Sequence, residues 1–246
     1  MTLVIGGCSF TYNEEMTWVG KVAEQYNVVN VGSCAAGNDY IARSVLHELD
    51  NHMRPTLICQ WSGIHRKSYV IDSNSAFYNH FKRYQWPDWA GDYHNINTDA
   101  VTQDLFWIKT GGNNMYHQGS SELIHKNFVE PYLKHFYNDE QALVETFENI
   151  LRVQYYCQIN DIENYMFWWK DELVNYKMSK YSKKLYEQIQ KMNTTWLPNL
   201  GDWCVENTDL IQNDLDQGYH PTQSQHQKYA ENIIIPAIEK FGLLNE

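Results

Sequence analysis

The sequence predicts an α/β fold, in which helices cover both faces of a mostly parallel central sheet of about five strands and form a three-layer α/β/α sandwich. Short apolar runs of strand length alternate along the chain with longer stretches of helical periodicity. The connections between the runs are long enough for the crossovers that parallel strands require. No repeat, low-complexity stretch or linker rich in Gly and Pro divides the 246 residues, so we expect one domain over residues 1–246.

The predicted strands are apolar runs that end at glycines or polar residues. They are TLVIGG at residues 2–7, NVVNVGS at 27–33, PTLICQWSG at 55–63 and NYMFWW at 164–169. Continuous hydrophobicity over this length is typical of strands that are buried on both faces of a parallel sheet. The two glycines that close the first run indicate a tight turn.

The predicted helices place apolar side chains at intervals of three and four residues. They cover residues 14–26, 37–53, 138–160, 177–191 and 224–243. Asn38 or Asp39 is expected to cap the second of these helices. Pro236 is expected to kink the last one, because proline lacks the backbone N–H that a helix interior needs.

Residues 70–135 interrupt this alternation. The segment is rich in aromatic residues, Asn and Gly, and it shows neither helical nor strand periodicity over most of its length. We interpret it as an insertion of irregular loops and short helices over one end of the sheet. A long irregular excursion from a compact domain is typically a lid or a binding surface.

Composition argues against several kinds of partner. The chain has 19 basic and 30 acidic residues, and its formal net charge of −11 repels nucleic acid phosphates, so no nucleic acid partner is expected. There is no signal peptide pattern and no window of 18 apolar residues, so we expect a soluble cytoplasmic protein without a membrane partner.

The five cysteines are scattered, without a CxxC pair, and predict buried thiols in a reducing compartment: Cys8, Cys34, Cys59, Cys157 and Cys204.

Cofactor binding is not predicted either. His94, His117 and His125 match no metal-ligand spacing, and the glycines before Ser9 form neither GxGxxG nor a phosphate loop. We therefore expect no cofactor. The sequence gives no indication of oligomeric state.

The first candidate site residue is Ser9, in the stretch IGGCSFTYN. Parallel α/β sheets bind ligands outside the carboxyl ends of their strands, and Ser9 follows the first predicted strand directly. The N–H groups of the next helix would point toward its hydroxyl. Ser9 is thus placed as a nucleophile would be, although a serine here can also simply cap the helix.

The stretch resembles the first conserved block of the SGNH hydrolases, also called GDSL-type esterases, which have a flavodoxin-like fold. Gly7 and Ser9 match the Gly-x-Ser motif of that block, with Cys8 in place of the usual aspartate. The resemblance implies that Ser9 is the nucleophile and that its N–H helps to bind the oxyanion. A thiol nucleophile at Cys8 is the alternative, but adjacent side chains in such a turn diverge and the family motif selects the serine.

The second block of the family is a glycine after the second strand. Gly37 in NVGSCAAGNDY matches it, and Asn38 follows. The resemblance implies that the Gly37 N–H is a second oxyanion donor and that Asn38 lies where substrate binds. A glycine that merely begins a helix is the alternative.

The third block departs from the family. The usual Gly-x-Asn-Asp is replaced by QWSGIHRK, which has no asparagine and leaves Ser62, the Gly63 N–H, His65 and Arg66 as substitutes. Ser62 is taken as the oxyanion donor. Arg66 would neutralise an oxyanion or bind an acidic group of the substrate, whereas a surface salt bridge is the plainer alternative. The departure resembles phage-encoded variants of the family, which implies a virus-encoded protein in host cytoplasm.

The fourth block is Asp-x-x-His before the last helix. His220, followed by Pro221 and a threonine, resembles it, and the resemblance makes His220 the general base. Gln217 stands where the aspartate is expected, and Asp216 lies one residue earlier. Either Asp216 reaches the imidazole, or Gln217 or a backbone carbonyl holds it; a Ser–His dyad without a carboxylate remains workable. A purely structural histidine is the alternative.

Taken together, the four blocks imply a serine esterase that hydrolyses a small acyl or acetyl ester through a Ser–His dyad or triad. The aromatic insertion suggests that the ester is carried by a carbohydrate. The departures in the third and fourth blocks leave a second hypothesis open. In it, the same fold has lost catalysis and serves as a binding protein for a glycan or a protein partner.

Overall fold

The computed structural model describes the chain at residues 2–34, 36–72, 105–110, 135, 138–171, 173–216 and 219–242. Within this part, the strands are β1 (Thr2–Gly6), β2 (Asn27–Asn30), β3 (Thr56–Trp61), β4 (Lys67–Asp72), β5 (Leu105–Thr110), β6 (Asn164–Trp168) and β7 (Thr195–Trp196). Five of them form one parallel sheet in the order β2-β1-β3-β6-β7. The predicted α/β fold with a mostly parallel central sheet is therefore confirmed.

The helices of the described residues are α1 (Ser9–Tyr12), α2 (Trp18–Ala23), α3 (Asn38–Leu49), α4 (Asp139–Ile159), α5 (Lys180–Ile189), α6 (Leu200–Asn207), α7 (Gln212–Asp216), α8 (Gln223–Tyr229) and α9 (Ile235–Gly242). A 3₁₀ turn spans Leu173–Asn175. One packed group contains α3, α4 and α5, and a second contains α2, α6 and α8. The connection from β1 to β2 and the connection from β2 to β3 run in opposite directions along the sheet, so right-handed crossovers place α2 and α3 on opposite faces.

Two predicted helices differ from the structure by more than a few residues at their ends. Of the helix predicted over residues 14–26, only Trp18–Ala23 is helical, as α2, and the separate short helix α1 precedes the predicted range. The terminal helix contains a π-helical turn over Ala230–Ile234, immediately before the position where Pro236 was expected to kink it. Pro236 has no N–H to donate to the carbonyl four residues back, and the N–H of the preceding Ile235 donates to the Ala230 carbonyl, five residues back.

The segment interpreted as an irregular insertion contains regular structure. Strands β4 and β5 pair antiparallel in a separate two-stranded sheet, with Lys67 opposite Thr110 and Asp72 opposite Leu105. The prediction of loops and short helices is wrong for these residues. Most of the remaining segment between 70 and 135 lies outside the described residues, so the lid function stays a prediction.

The central strands form the core. Leu3, Val4 and Ile5 of β1 are completely buried, and every residue of β3 is buried. Strands covered on both faces by helices must be apolar throughout, which explains the continuous runs in the sequence. No helix among the described residues combines the length and the apolar character needed to cross a bilayer.

The strand order fixes where a site can form. The chain leaves β1 toward β2 on one side, and all later strands of the sheet lie beyond β3 on the other side, so the strand order reverses between β1 and β3. Ligands of open α/β sheets bind at such a switch point. Gly6 pairs with Cys59, so Ser9 and Ser62 each lie three residues beyond a paired position, at the same rim.

Removal of a large side chain from this core should be costly. Phe167 on β6 is completely buried, and its ring lies 5.6 Å from the rings of both Trp18 and Tyr229. We expect Phe167→Ala to lower the free energy of unfolding by about 3–5 kcal/mol in urea titrations, because it leaves a cavity. The control Ile159→Ala, at a side chain that is 81% exposed, should change it by less than about 0.5 kcal/mol. Equal effects of the two substitutions would contradict the described packing.

Candidate active site

Ser9 and His220 meet at the rim of the sheet. Ser9 Oγ lies 3.0 Å from His220 Nε2, although 211 positions separate the two residues in sequence. Ser9 is the first residue of α1, directly after β1, and His220 precedes α8. We call these two residues the dyad.

The turn that carries Ser9 is held from below by a buried glutamine. Gln60 Oε1 accepts hydrogen bonds from Thr11 Oγ1 at 2.9 Å and from the Cys8 N–H at 3.4 Å. Gln60 is completely buried on β3, in the middle of an apolar strand. Gly7 leaves the space for this contact, because a Cβ there would lie 2.4 Å from Thr11 Oγ1 and 3.0 Å from Gln60 Oε1. Packing against Thr11 and Gln60 therefore requires the glycine of the Gly-x-Ser pattern in this chain.

The first N–H groups of α1 are available at the same turn. Thr11 and Tyr12 donate their N–H groups to the Cys8 carbonyl, whereas Ser9 and Phe10 have no backbone acceptor among the described contacts. The first N–H groups of a helix have no partner within the helix. The Ser9 N–H is therefore a donor beside its own hydroxyl.

His220 is fixed by packing and by the start of the next helix. Its ring stacks on Phe10 at a centroid distance of 4.0 Å and an interplanar angle of 20°. Two residues later, Thr222 and Gln225 form a capping box that begins α8. Gln223 Nε2 donates to the Glu15 carbonyl at 2.6 Å, which ties this segment to the loop after α1.

The imidazole of His220 is neutral at pH 7. Partial burial of the ring lowers its pKa to about 4, and the positive charge of Arg66 contributes to the lowering. His220 as a residue is exposed, but Phe10 covers one face of the ring and removes water from it. A neutral ring can accept the proton of the Ser9 hydroxyl, which a charged ring cannot do.

The structure does not bring Asp216 to the imidazole. Its carboxylate bonds Lys170 Nζ at 3.2 Å and Gln212 Nε2 at 3.0 Å, and these partners lower its pKa. Neither ring nitrogen of His220 has a carboxylate partner among the described contacts, and Gln217 lies outside the described residues. Among the described residues, Ser9 and His220 therefore form a dyad without a carboxylate.

Gly37 and Asn38 are engaged within the protein. The Gly37 N–H donates to Ser68 Oγ at 3.1 Å, so the donor predicted for an oxyanion has a partner already. Asn38 is 2% exposed, and its amide bonds both the N–H of Ser62 (2.8 Å) and its carbonyl (3.1 Å), as well as Thr146 Oγ1 (3.2 Å). Asn38 therefore clamps the loop after β3 to α3, and no part of its amide is left for a substrate.

The loop after β3 carries the two remaining predicted site residues. Ser62 is completely buried, and its hydroxyl oxygen has no hydrogen-bond partner among the described residues. Arg66 is partly buried, and the same holds for its buried Nη1 atom. His65, a third substitute considered for this block, is exposed and bonds the Tyr176 hydroxyl. Ser62 and Arg66 thus remain as donors at this rim.

Sequence reasoning missed several residues that build the site. Phe10 stacks on His220 and lies 5.4 Å from the Trp169 ring and 6.3 Å from the His226 ring. His226 is 1% exposed, and burial lowers its pKa to about 3. A single polar residue within LICQW was the available signal for Gln60, because a buried amide must find hydrogen-bond partners.

Comparison with known proteins adds a likeness in fold. No protein-family model matches the sequence, and no curated protein sequence matches it. Among solved structures, the chain is similar to the psychrotrophic esterase EstA from Pseudoalteromonas sp., in a crystal structure described as inhibited by monoethylphosphonate. The two share 14% sequence identity, with a TM-score of 0.47 over 100% of this chain and 99% of that chain. At this identity and TM-score, the likeness carries no argument about function. The interpretation of the site depends on the geometry of the dyad.

Proposed function

We propose that the protein is a serine hydrolase that cleaves a small acyl or acetyl ester through Ser9 and His220. The 3.0 Å contact between Ser9 Oγ and His220 Nε2 is the observation that carries this proposal. It pairs a hydroxyl with a neutral imidazole at the switch point of a parallel sheet, where ligands bind. A nucleophile within hydrogen-bond reach of a base is the signature of covalent catalysis by serine.

The mechanism follows from the positions of the two groups. His220 takes the proton of Ser9 Oγ as the oxygen attacks the ester carbonyl, which forms a tetrahedral intermediate. Collapse of the intermediate releases the alcohol, which takes up the proton from His220, and leaves an acyl group on Ser9. Water, deprotonated by the same imidazole, then cleaves the acyl-enzyme and restores the hydroxyl.

The intermediate places negative charge on the former carbonyl oxygen. The Ser9 N–H is a donor for this charge, and the Ser62 hydroxyl is proposed as another. The Gly37 N–H would contribute only after its bond to Ser68 Oγ opened. Loss of one oxyanion donor typically costs about a hundredfold in rate.

A carbohydrate ester is the substrate class proposed for the alcohol side. Trp169 lies against Phe10 beside the dyad, and Tyr219, next to His220, is 60% exposed. Flat aromatic rings with a polar atom suit the mixed surface of a sugar. The aromatic residues of the insertion, most of which lie outside the described part of the chain, led to the same proposal.

Covalent labelling tests the nucleophile. A fluorophosphonate probe should attach to Ser9 in the wild-type protein, and both Ser9→Ala and His220→Ala should abolish the labelling. The same variants should lower kcat/KM for p-nitrophenyl acetate by about a thousandfold or more, because each removes a reacting group. Intact-protein mass spectrometry and initial rates measure the two effects.

Matched variants define the specificity of that result. Ser44→Ala removes a hydroxyl that bonds only its own helix, and His52→Ala removes an imidazole that pairs with Glu48, so neither should affect labelling. Cys8→Ala should keep the label, which separates Ser9 from the neighbouring thiol. Absence of labelling and of hydrolysis in the wild-type protein would contradict the esterase proposal and favour a binding protein.

The pH dependence of hydrolysis should reflect the low pKa of His220. Its pKa is lowered to about 4, so kcat/KM for a neutral ester should stay constant from about pH 8 down to about pH 6 and fall with a midpoint near pH 4. The fall reflects protonation of the base. A midpoint near 6.5, the value of an ordinary histidine, would mean that the ring is not shielded as described.

Asp216 should be of little importance to the rate. Its carboxylate pairs with Lys170 and not with the imidazole, so Asp216→Asn should lower kcat/KM by less than about tenfold. An orienting carboxylate in a triad is worth about ten thousandfold. A thousandfold loss in Asp216→Asn would show that the carboxylate moves to His220 during the reaction.

A further inference from the structure

Two buried hydrogen-bond donors on the loop after β3 have no acceptor among the described residues, although folded proteins normally provide one. Ser62 Oγ and Arg66 Nη1 are both buried, and neither has a hydrogen-bond partner among the described residues. More than nine-tenths of buried polar groups are hydrogen-bonded, and a buried charge without a partner is more costly still. A substrate bound at the rim would supply partners for these atoms.

These donors lie at the same rim as the dyad. Ser62 and Ser9 each lie three residues beyond the pair formed by Gly6 and Cys59 on adjacent strands. The Arg66 backbone packs against the start of α3, where a Cβ added at Gly37 would lie 2.6 Å from the Arg66 carbonyl oxygen. The loop is held in place by Asn38, which bonds the Ser62 backbone on both sides.

The charge of Arg66 reaches the dyad without being cancelled by a nearby carboxylate. No ion pair of Arg66 occurs within 4.0 Å in the part of the chain that the structure describes, although the whole protein carries a net charge of −11. Its positive charge helps to lower the pKa of His220. Of the other groups around the imidazole, Phe10 is uncharged and the buried His226 has a pKa lowered to about 3, so it is neutral.

A permanent anion suits this arrangement better than a transient oxyanion. The Ser9 N–H and the Ser62 hydroxyl are neutral donors of the kind that oxyanion sites use. A guanidinium adds a full charge and a planar fork of N–H groups, which matches the two oxygens of a carboxylate or phosphate. In the resting protein this charge weakens the base that catalysis needs. A negatively charged substrate would offset that effect.

We propose that Arg66 binds a carboxylate or phosphate group of the substrate, so that the enzyme selects negatively charged esters. The inference rests on the proposed esterase function and deepens it by naming the substrate class. Arg66 is then the residue that determines specificity. The anionic group can sit on either the acyl or the alcohol side of the ester.

Pairs of esters that differ only in charge test the selectivity. Mono-4-nitrophenyl adipate and 4-nitrophenyl hexanoate place the difference on the acyl side, and 4-acetoxybenzoate and its methyl ester place it on the alcohol side. In at least one pair the wild-type protein should favour the anionic ester in kcat/KM by about tenfold to a hundredfold, the worth of one or two charge-assisted hydrogen bonds. Arg66→Met should remove the preference, mainly by raising KM for the anionic ester.

Controls separate this role from its alternatives. Arg152→Met removes an exposed arginine of α4 and should leave the preference unchanged, which excludes an effect of net charge. An equal loss of kcat on neutral and anionic esters in Arg66→Met, with KM unchanged, would assign Arg66 to the oxyanion and overturn the proposal. Equal rates of the wild-type protein on both members of both pairs would overturn it as well.

Anion binding separates this inference from the esterase proposal. Calorimetric titration of Ser9→Ala with adipate and with inorganic phosphate should show binding of at least one of them, and Ser9→Ala combined with Arg66→Met should show none. This result would support the subsite even if no ester were hydrolysed. Absence of binding in Ser9→Ala, together with active but unselective wild-type enzyme, would overturn the subsite and leave the esterase intact.

Discussion

The proposed chemistry depends on the hydrogen bond between Ser9 Oγ and His220 Nε2. The bond requires that two distant segments end at one rim, which the parallel sheet provides, and that the imidazole carries no charge. Stacking on Phe10 meets the second requirement, because it removes water from a ring that would otherwise titrate near neutrality. The fold therefore supplies both the position and the protonation state of the base.

Buried amide side chains hold the loops that surround this bond. Gln60 fixes the turn before Ser9, and Asn38 fixes the loop that carries Ser62. A polar side chain in the core is tolerated only when its hydrogen bonds are satisfied, so each amide restricts the backbone it contacts to one arrangement. These amides therefore hold the loops around the dyad in the precise arrangement that the proposed approach of two side chains demands.

The sequence predicted correctly those elements whose structure depends on a local pattern. It did not predict contacts that depend on residues far apart in the sequence. Continuous apolar runs identified β1, β3 and β6, which are buried on both faces, and also β2, a partly buried strand at the edge of the sheet. Strand β7 has only two residues and no pattern of its own, and it forms because the edge of β6 offers partners. The placements of Ser9 and His220 were predictable from strand ends and block order. The bonds of Asn38 and Asp216 depend on three-dimensional neighbours, Ser62 and Lys170, that no spacing in the sequence reveals.

The charges around the imidazole are the reverse of those in a Ser-His-Asp triad. In a triad, a carboxylate stabilises the imidazolium that forms during attack. In this protein, the charged group described beside the His220 ring is Arg66, and its positive charge destabilises the imidazolium. A base with a pKa near 4 has only a weak tendency to accept the proton of a serine hydroxyl. An anion bound at Arg66 would neutralise that charge and raise the basicity of His220 when substrate is present. The substrate would then contribute part of the electrostatic stabilisation that the carboxylate provides in a Ser-His-Asp triad, and the anion bound at the arginine after β3 would compensate for the absence of Asp216 from His220.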